Sequence, residues 1–178
     1  MICLSSKLPV LQVGPYQLKD YDTSWILRSI EDTLACVGLH SSFVSEIVYH
    51  GVIQYLENDC PWVPLKIEDL YARIEFLFSK IGFKHLAHAI PRYSPVIRIS
   101  VTQLLQKVDY QGEDALLKAL QAELNTLKGY GVEEVFLDNI ADAVHALIPD
   151  QDWGKQSQQL HDKIIALQQT YNAEAKGI

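Results

Sequence analysis

The chain lacks an excess of positive charge. Among its 178 residues, 15 are Lys or Arg and 22 are Asp or Glu, which gives a formal net charge of −7. Residues 1–90 carry 7 basic and 10 acidic side chains, and residues 91–178 carry 8 and 12, so neither half is basic. Because nucleic-acid binding depends on basic side chains that release counterions from phosphates, this balance argues against a nucleic-acid partner.

Cysteines and long apolar runs are also scarce. Cys3, Cys36 and Cys60 are odd in number and widely spaced, which argues against a zinc knuckle or a thioredoxin-type site. Free thiols in a reducing compartment are the simpler interpretation. No apolar run approaches the roughly 18 residues that a membrane span needs, and residues 1–13 lack a signal-peptide cleavage site. We therefore expect a cytoplasmic protein without a membrane partner.

Motifs that carry catalysis or bind metals are missing as well. The sequence has no GxSxG elbow and no HExxH pattern. His85 and His88 are three residues apart in a helical segment, but no Cys, Asp or Glu at ligand spacing completes a metal set. Gly129–Gly131 lacks the Lys and Ser of a phosphate-binding loop and is interpreted as a helix C-cap.

The remaining polar and aromatic candidates also have structural interpretations. The acidic pairs Glu133–Glu134 and Asp150–Asp152 flank helix ends, where solvated carboxylates favour the helix dipole. Trp25, Trp62 and Trp153 are expected to pack in the core or at helix caps. We therefore predict no catalytic residue, no metal ligand and no cofactor, and we expect that the protein is not an enzyme.

Hydrophobic periodicity predicts helices along most of the first part of the chain. A small hairpin is predicted around Gly14–Pro15, with apolar residues from Val10 to Val13 and from Tyr16 to Leu18. Helices follow over residues 22–38, 41–56, 67–81 and 83–90. The predicted inner face of the first helix is Ile26, Leu27, Ile30, Leu34 and Val37. That of the second is Phe43, Ile47, Val48, Val52, Ile53 and Leu56.

The second part is predicted to be helical with at most two short strands. The β-branched run Val96–Ser100 is one strand. Val132–Leu137 is either a second strand, which would pair with the first, or the start of the next helix. Helices are predicted over residues 100–108, 114–128, up to Ile148 and 153–171, with fraying over residues 173–178. No internal repeat is visible in the sequence.

The predicted fold class is therefore mainly α: a helical bundle with a small N-terminal β-hairpin, followed by a second small helical domain with short strands. The boundary falls near Tyr93–Pro95, giving domains 1–93 and 94–178. Pro91 and Pro95 restrict the backbone of the joint, and apolar residues lie on both sides of it. We therefore expect the second domain to pack on the first.

Three segments of the first part resemble the ATP-cone, the regulatory domain of ribonucleotide reductases and of the repressor of their genes. They are YDTSWILRSI at 21–30, IEDL at 67–70 and IGFKHLAHA at 81–89, within a match over residues 9–93. The family pattern is a β-hairpin, an apolar-or-aromatic/Asp pair that opens a helix, two more helices and a short last one. The resemblance implies a fold of this kind for the first domain.

The resemblance also implies a nucleotide site whose basic residues this sequence does not contain. The family's Lys-Arg pair and the small residue after it fall at Leu11, Gln12 and Val13, and a further lysine falls at Trp25. Since a triphosphate needs cationic or helix-end donors, no ATP-contacting residue carries over. The implied function is a regulatory or interaction protein with a degenerate ATP-cone-like domain, with a protein partner or self-association.

Two alternatives remain open. The first is a working ATP or dATP sensor that uses rearranged contacts from Lys19 and Arg28. The second is an enzyme whose site is formed by residues distant in sequence, which no motif reveals.

Overall fold

The fold is mainly helical with a few short strands, as the sequence predicts. The structure, a computed structural model, describes residues 8–39, 42–60, 64–148 and 154–177. The chain divides into two compact units, Met1–Pro95 and Val96–Ile178. In the described ranges no helix combines the length and the apolar character needed to cross a membrane.

A three-stranded mixed sheet forms the N-terminal edge of the first unit. Strands β1 (Leu11–Val13) and β2 (Tyr16–Leu18) make the predicted antiparallel hairpin, with Val13 opposite Tyr16. Strand β3 (Leu65–Lys66) pairs with β1 in parallel, so β1 is the central strand. The sequence did not predict β3, because two residues are too few to show an alternating pattern.

Four helices complete the first unit: α1 (Ser24–Ala35), α2 (Ser42–Gln54), α3 (Ile67–Lys80) and α4 (Lys84–Ala87). A π-helical turn, Tyr55–Asp59, continues α2. Gly38, at a φ of +74°, adopts the left-handed conformation that ends α1, as the sequence predicts. The hydrophobic core of the unit lies between the helices and contains Ile26, Ile30, Leu34, Val48, Val52, Leu56, Leu70, Ile74 and Phe78.

Three residues assigned to the inner helix faces are exposed instead. Val37 follows the end of α1 and is 41% exposed, while Phe43 and Ile47 on α2 are 68% and 50% exposed. Helix α2 has apolar residues on most of its circumference, so its periodicity does not single out the face that packs. The structure buries Ser45, Val48 and Val52, which lie on the other side of the helix.

The second unit repeats the order strand, short helix, long helix. Its first half is β4 (Ile97–Ser100), α5 (Val101–Lys107) and α6 (Glu113–Gly129), and its second half is β5 (Val135–Asp138), α7 (Ile140–Leu147) and α8 (Lys155–Ala175). The two strands pair with each other in parallel, with Ile97 opposite Val135 and Ser100 opposite Asp138. This confirms both predicted strands and their pairing, and it reveals a repeated arrangement that the sequence did not show.

The short helices of the two halves bury matching positions. Val101, Leu104 and Leu105 are buried in α5, and Ile140, Ala143 and Val144 are buried in α7, each at positions i, i+3 and i+4. The Ser100 hydroxyl caps α5 as the sequence predicts, accepting a 3.4 Å hydrogen bond from the Gln103 amide.

Helix α8 lies along the outer edge of β5 and bonds to its backbone. The Asn172 side chain accepts from the Val135 amide at 2.9 Å and donates to the Val135 carbonyl at 3.1 Å. Gln168 accepts from the Leu137 amide at 3.3 Å. Helix α8 continues to Ala175, so the prediction that the chain frays from Ala173 onward is wrong for residues 173–175.

Candidate functional site

The resemblance to the ATP-cone assigns a basic pair to Leu11 and Gln12 and a small residue to Val13. Because β1 is the central strand, its alternating side chains point Leu11 and Val13 into the unit, and both are fully buried. Gln12 lies between them, half-buried, and its Nε2 donates to the Gly14 carbonyl at 3.1 Å. This strand therefore presents no cation to a ligand.

Trp25, which the resemblance aligns with a lysine, is a core residue. Its side chain is 6% exposed, and its ring centroid lies 6.0 Å from that of Tyr71 on α3 at an interplanar angle of 55°. The indole Nε1 is buried and has no hydrogen-bond partner among the described residues. The expectation of core packing is confirmed for Trp25, while Trp62 and Trp153 lie outside the described residues.

A chain of hydroxyl groups links α1, α3 and the segment after α4. The Tyr71 hydroxyl donates to the Tyr93 carbonyl oxygen at 2.6 Å and lies 3.0 Å from Ser29 Oγ. The Tyr93 hydroxyl donates in turn to Asp32 Oδ2 at 2.7 Å. The same carboxylate oxygen lies 3.9 Å from Arg28 Nε. Each polar group of this network bonds to another part of the fold, so the network holds these three parts of the unit together.

Lys19 and Arg28, the two cations of the sensor alternative, have different surroundings. The Arg28 guanidinium lies 4.0 Å from the centroid of the Tyr93 ring, so this cation contacts both an aromatic ring and the Asp32 carboxylate. Lys19 follows β2 and is exposed. Arg28 is exposed as well, with 56% of its side-chain surface accessible to solvent.

Tyr21 and Cys60 are partly buried near the hairpin. The Tyr21 hydroxyl donates to the Pro9 carbonyl at 3.1 Å, and burial, with a smaller effect of Cys60, raises the Tyr21 pKa to about 12. Burial also raises the pKa of the Cys60 thiol, although a hydrogen bond with Tyr55 opposes the rise. Since the thiolate is the reactive form, this environment disfavours nucleophilic chemistry at Cys60.

His85, His88 and the two acidic pairs are the candidates from the sequence for a metal or acid–base site. His85 lies on α4 and His88 at its C-terminal cap, and both are exposed. No group of three metal-binding side chains forms in the part of the chain that the structure describes. Glu134 forms a 2.8 Å ion pair with Lys176, while Asp150 and Asp152 lie outside the described residues.

The Gly-Tyr-Gly segment ends a helix, as the sequence predicts. Helix α6 ends at Gly129, and the Gly131 amide donates to the Lys128 carbonyl at 3.0 Å with a φ of +72°. The segment is therefore a helix C-cap and not a phosphate-binding loop.

The surface feature that sequence reasoning missed is the outward face of α2. Phe43, Glu46, Ile47 and His50 are all exposed and follow one another at positions i, i+3, i+4 and i+7, the spacing of a single helix face. A helix that is apolar on its outer as well as its inner side is typical of elements buried on both sides. The sequence signal was present in the apolar content of α2, but it was interpreted as core.

Comparison of the chain with protein-family models, with curated proteins and with solved structures found no match.

Proposed function

We propose that this chain is a non-enzymatic regulatory or interaction protein whose first unit is a degenerate ATP-cone-like domain. In this proposal the unit keeps the scaffold of a nucleotide-sensing domain but no longer holds a triphosphate at the family position. Its function then depends on contact with another protein.

The order of elements in the first unit supports the ATP-cone-like part of the proposal. The resemblance implies a hairpin, three helices and a short last helix. The unit has β1 and β2, then α1 and α2, then α3 and the four-residue α4, with the π-helical turn and β3 between α2 and α3. Tyr21-Asp22 lies just before α1, separated from it by the N-cap residue Thr23, and so falls near the helix start as the aromatic/Asp pair of the family pattern does.

The burial of Leu11, Val13 and Trp25 is the observation that carries the loss of the triphosphate site. All three occupy family positions of basic or small residues, and all three are packed in the core. Placing cations at Leu11 and Trp25 would bury charge without partners, which costs several kcal/mol per ion. The packing of these side chains thus supports the loss of the triphosphate site.

Thermal unfolding of the whole chain with and without ATP or dATP tests this part of the proposal. A ligand at 100 times its Kd stabilises a protein by about 2.7 kcal/mol, which raises the Tm of a chain of this size by several degrees. We expect no such shift with either nucleotide. A clear, saturable increase in Tm would contradict the loss of the site.

The sensor alternative is tested by the same assay with a charge reversal. Lys19→Glu changes an exposed side chain and should leave the fold intact, whereas Arg28→Glu also disrupts contacts with Tyr93 and Asp32. Nucleotide stabilisation that disappears in Lys19→Glu would favour the sensor over the interaction protein.

A further inference from the structure

Four exposed apolar side chains lie close in sequence, after the end of α1 and along α2. Phe43 is 68% exposed and Ile47 is 50% exposed, and they lie one turn apart on α2. Val37 and Leu39 follow the end of α1 and are exposed as well. We call these four residues, with the exposed Glu31 and Glu46, the α1–α2 surface. Large apolar side chains grouped in this way mark a binding surface more often than scattered ones do.

The stretch of sequence that carries this surface is acidic, and the nearest cation before it is Arg28 on α1. No Lys or Arg occurs from Ser29 to Leu65, whereas this stretch contains five acidic residues. They are Glu31, Asp32, Glu46, Glu57 and Asp59. The stretch therefore carries −5 of the chain's formal charge of −7, and Glu31 and Glu46 lie on the exposed sides of α1 and α2.

The exposed apolar side chains and the acidic charge together favour one kind of binding partner over the others. Anionic lipid and nucleic acid are repelled by a surface with this excess of carboxylates. A second copy of the chain would bring two acidic surfaces together, and like charges juxtaposed in an interface cost several kcal/mol. A helix with an apolar stripe flanked by Lys or Arg complements both the apolar centre and the acidic rim.

We propose that the α1–α2 surface is a docking site for a basic amphipathic helix of a partner protein. The proposal rests on the proposed function, because it assigns the partner class of an interaction protein. Phe43 and Ile47 supply the apolar anchors, since residues one turn apart on one helix face fit between the i and i+4 side chains of a second helix. Glu31 and Glu46 supply the charges that favour a cationic partner.

A designed peptide tests the proposal with the whole chain. The probe is a fluorescein-labelled helical peptide of Leu and Lys, with Leu at i, i+3, i+4 and i+7. One control peptide has the same composition in scrambled order, and another has Glu in place of Lys. Fluorescence anisotropy should give saturable binding of the basic amphipathic peptide alone, and this binding should weaken as ionic strength rises.

Variants of the chain locate the binding. Phe43→Ser and Ile47→Ser should each weaken binding by about tenfold, the loss expected when an anchor residue is removed. Glu46→Lys should weaken it less and reduce its salt dependence. Phe136→Ser removes a comparably exposed phenylalanine from β5 and should leave binding unchanged. Circular dichroism checks that each variant is folded.

Several results would overturn the proposal. They include no saturable binding, equal binding of the scrambled peptide, or unchanged binding in Phe43→Ser and Ile47→Ser. Sedimentation of the chain alone as a dimer that these two variants dissociate would assign the surface to a second copy. Binding to phosphatidylcholine vesicles that is lost in the same variants would assign it to a membrane. A nucleotide-dependent rise in Tm would count against the proposed function while leaving the peptide result intact.

Discussion

Tyr93 and Asp32 are joined by a 2.7 Å hydrogen bond from the tyrosine hydroxyl to the carboxylate, although 61 positions separate them in the sequence. The Arg28 guanidinium lies over the face of the same tyrosine ring. Together these contacts attach the segment after α4 to α1, at the end of the first unit. The closing segment is thus held by polar contacts with the first helix as well as by the core.

Replacing Tyr93 with Phe should lower the free energy of unfolding by about 1 kcal/mol. The substitution keeps the ring under Arg28 but removes one hydrogen bond to a charged group that is partly exposed. Urea denaturation followed by circular dichroism measures the change. Tyr110→Phe removes the hydroxyl of an exposed tyrosine in the second unit and should leave stability within about 0.5 kcal/mol. An equal loss in both variants would contradict a specific role for the Tyr93 hydroxyl.

Tyr71→Phe should lower the free energy of unfolding by about 1–3 kcal/mol, more than Tyr93→Phe does. Its hydroxyl is buried and serves both the Tyr93 carbonyl and Ser29 Oγ, so removal leaves buried groups without that partner. The double variant Tyr71→Phe/Tyr93→Phe should lose less than the sum of the single losses, because the two groups belong to one network. Strict additivity in the double-mutant cycle would show that the two bonds are independent.

Leu11→Lys and Gln12→Lys should differ sharply in their effect on the free energy of unfolding. Leu11 is fully buried, so a lysine there places an unpaired charge in the core, and we expect a loss of more than about 4 kcal/mol. Gln12 is half-buried beside the hairpin turn, and a lysine can extend its ammonium group into water, which should cost less than about 1 kcal/mol. Chemical denaturation compares the two. Comparable stability of both variants would mean that Leu11 is not enclosed as described.

Alkaline pH should destabilise the second unit through Tyr171. Burial raises the pKa of Tyr171 from 10.0 to about 12, and its hydroxyl donates to the Val132 carbonyl at 2.6 Å. Because the folded pKa lies above the unfolded one, the neutral phenol stabilises the fold below about pH 10, and this contribution is lost as pH rises towards 12. Unfolding free energies measured across this range should fall less steeply for Tyr171→Phe. An unchanged slope would contradict the assignment.

Much of the helical structure could be predicted because burial in helices follows local spacing. The stripes Ile26–Ile30–Leu34 and Leu116–Leu120–Leu124 are buried as the periodicity indicates. The hairpin was predicted from the turn residues Gly14–Pro15. Strands β4 and β5 were predicted from apolar and β-branched residues, although the sequence left β5 open as the start of a helix. Each of these signals is contained within a few neighbouring residues.

The rest depends on contacts between residues that are distant in sequence. The side of α2 that faces the core is decided by its neighbours, since Phe43 and Val48 are equally apolar but only Val48 is buried. The Tyr71 and Tyr93 hydroxyl bonds likewise leave no local pattern. The absence of cations at Leu11, Gln12 and Trp25 was visible in the sequence, and core packing was expected for Trp25, but the full burial of Leu11 was not. Packing of the second domain on the first stays a prediction, which separate expression of residues 1–93 would test.

The bonds from Asn172 and Gln168 to β5 have a consequence for the behaviour of the chain at high concentration. A two-stranded sheet leaves amide and carbonyl groups on its outer edges, where a strand from another molecule can attach. On the β5 side, the side-chain amides of α8 occupy these groups in the way a neighbouring strand would. Helix α8 therefore shields this edge from intermolecular strand addition, and detaching the helix would expose the edge to strands of other molecules.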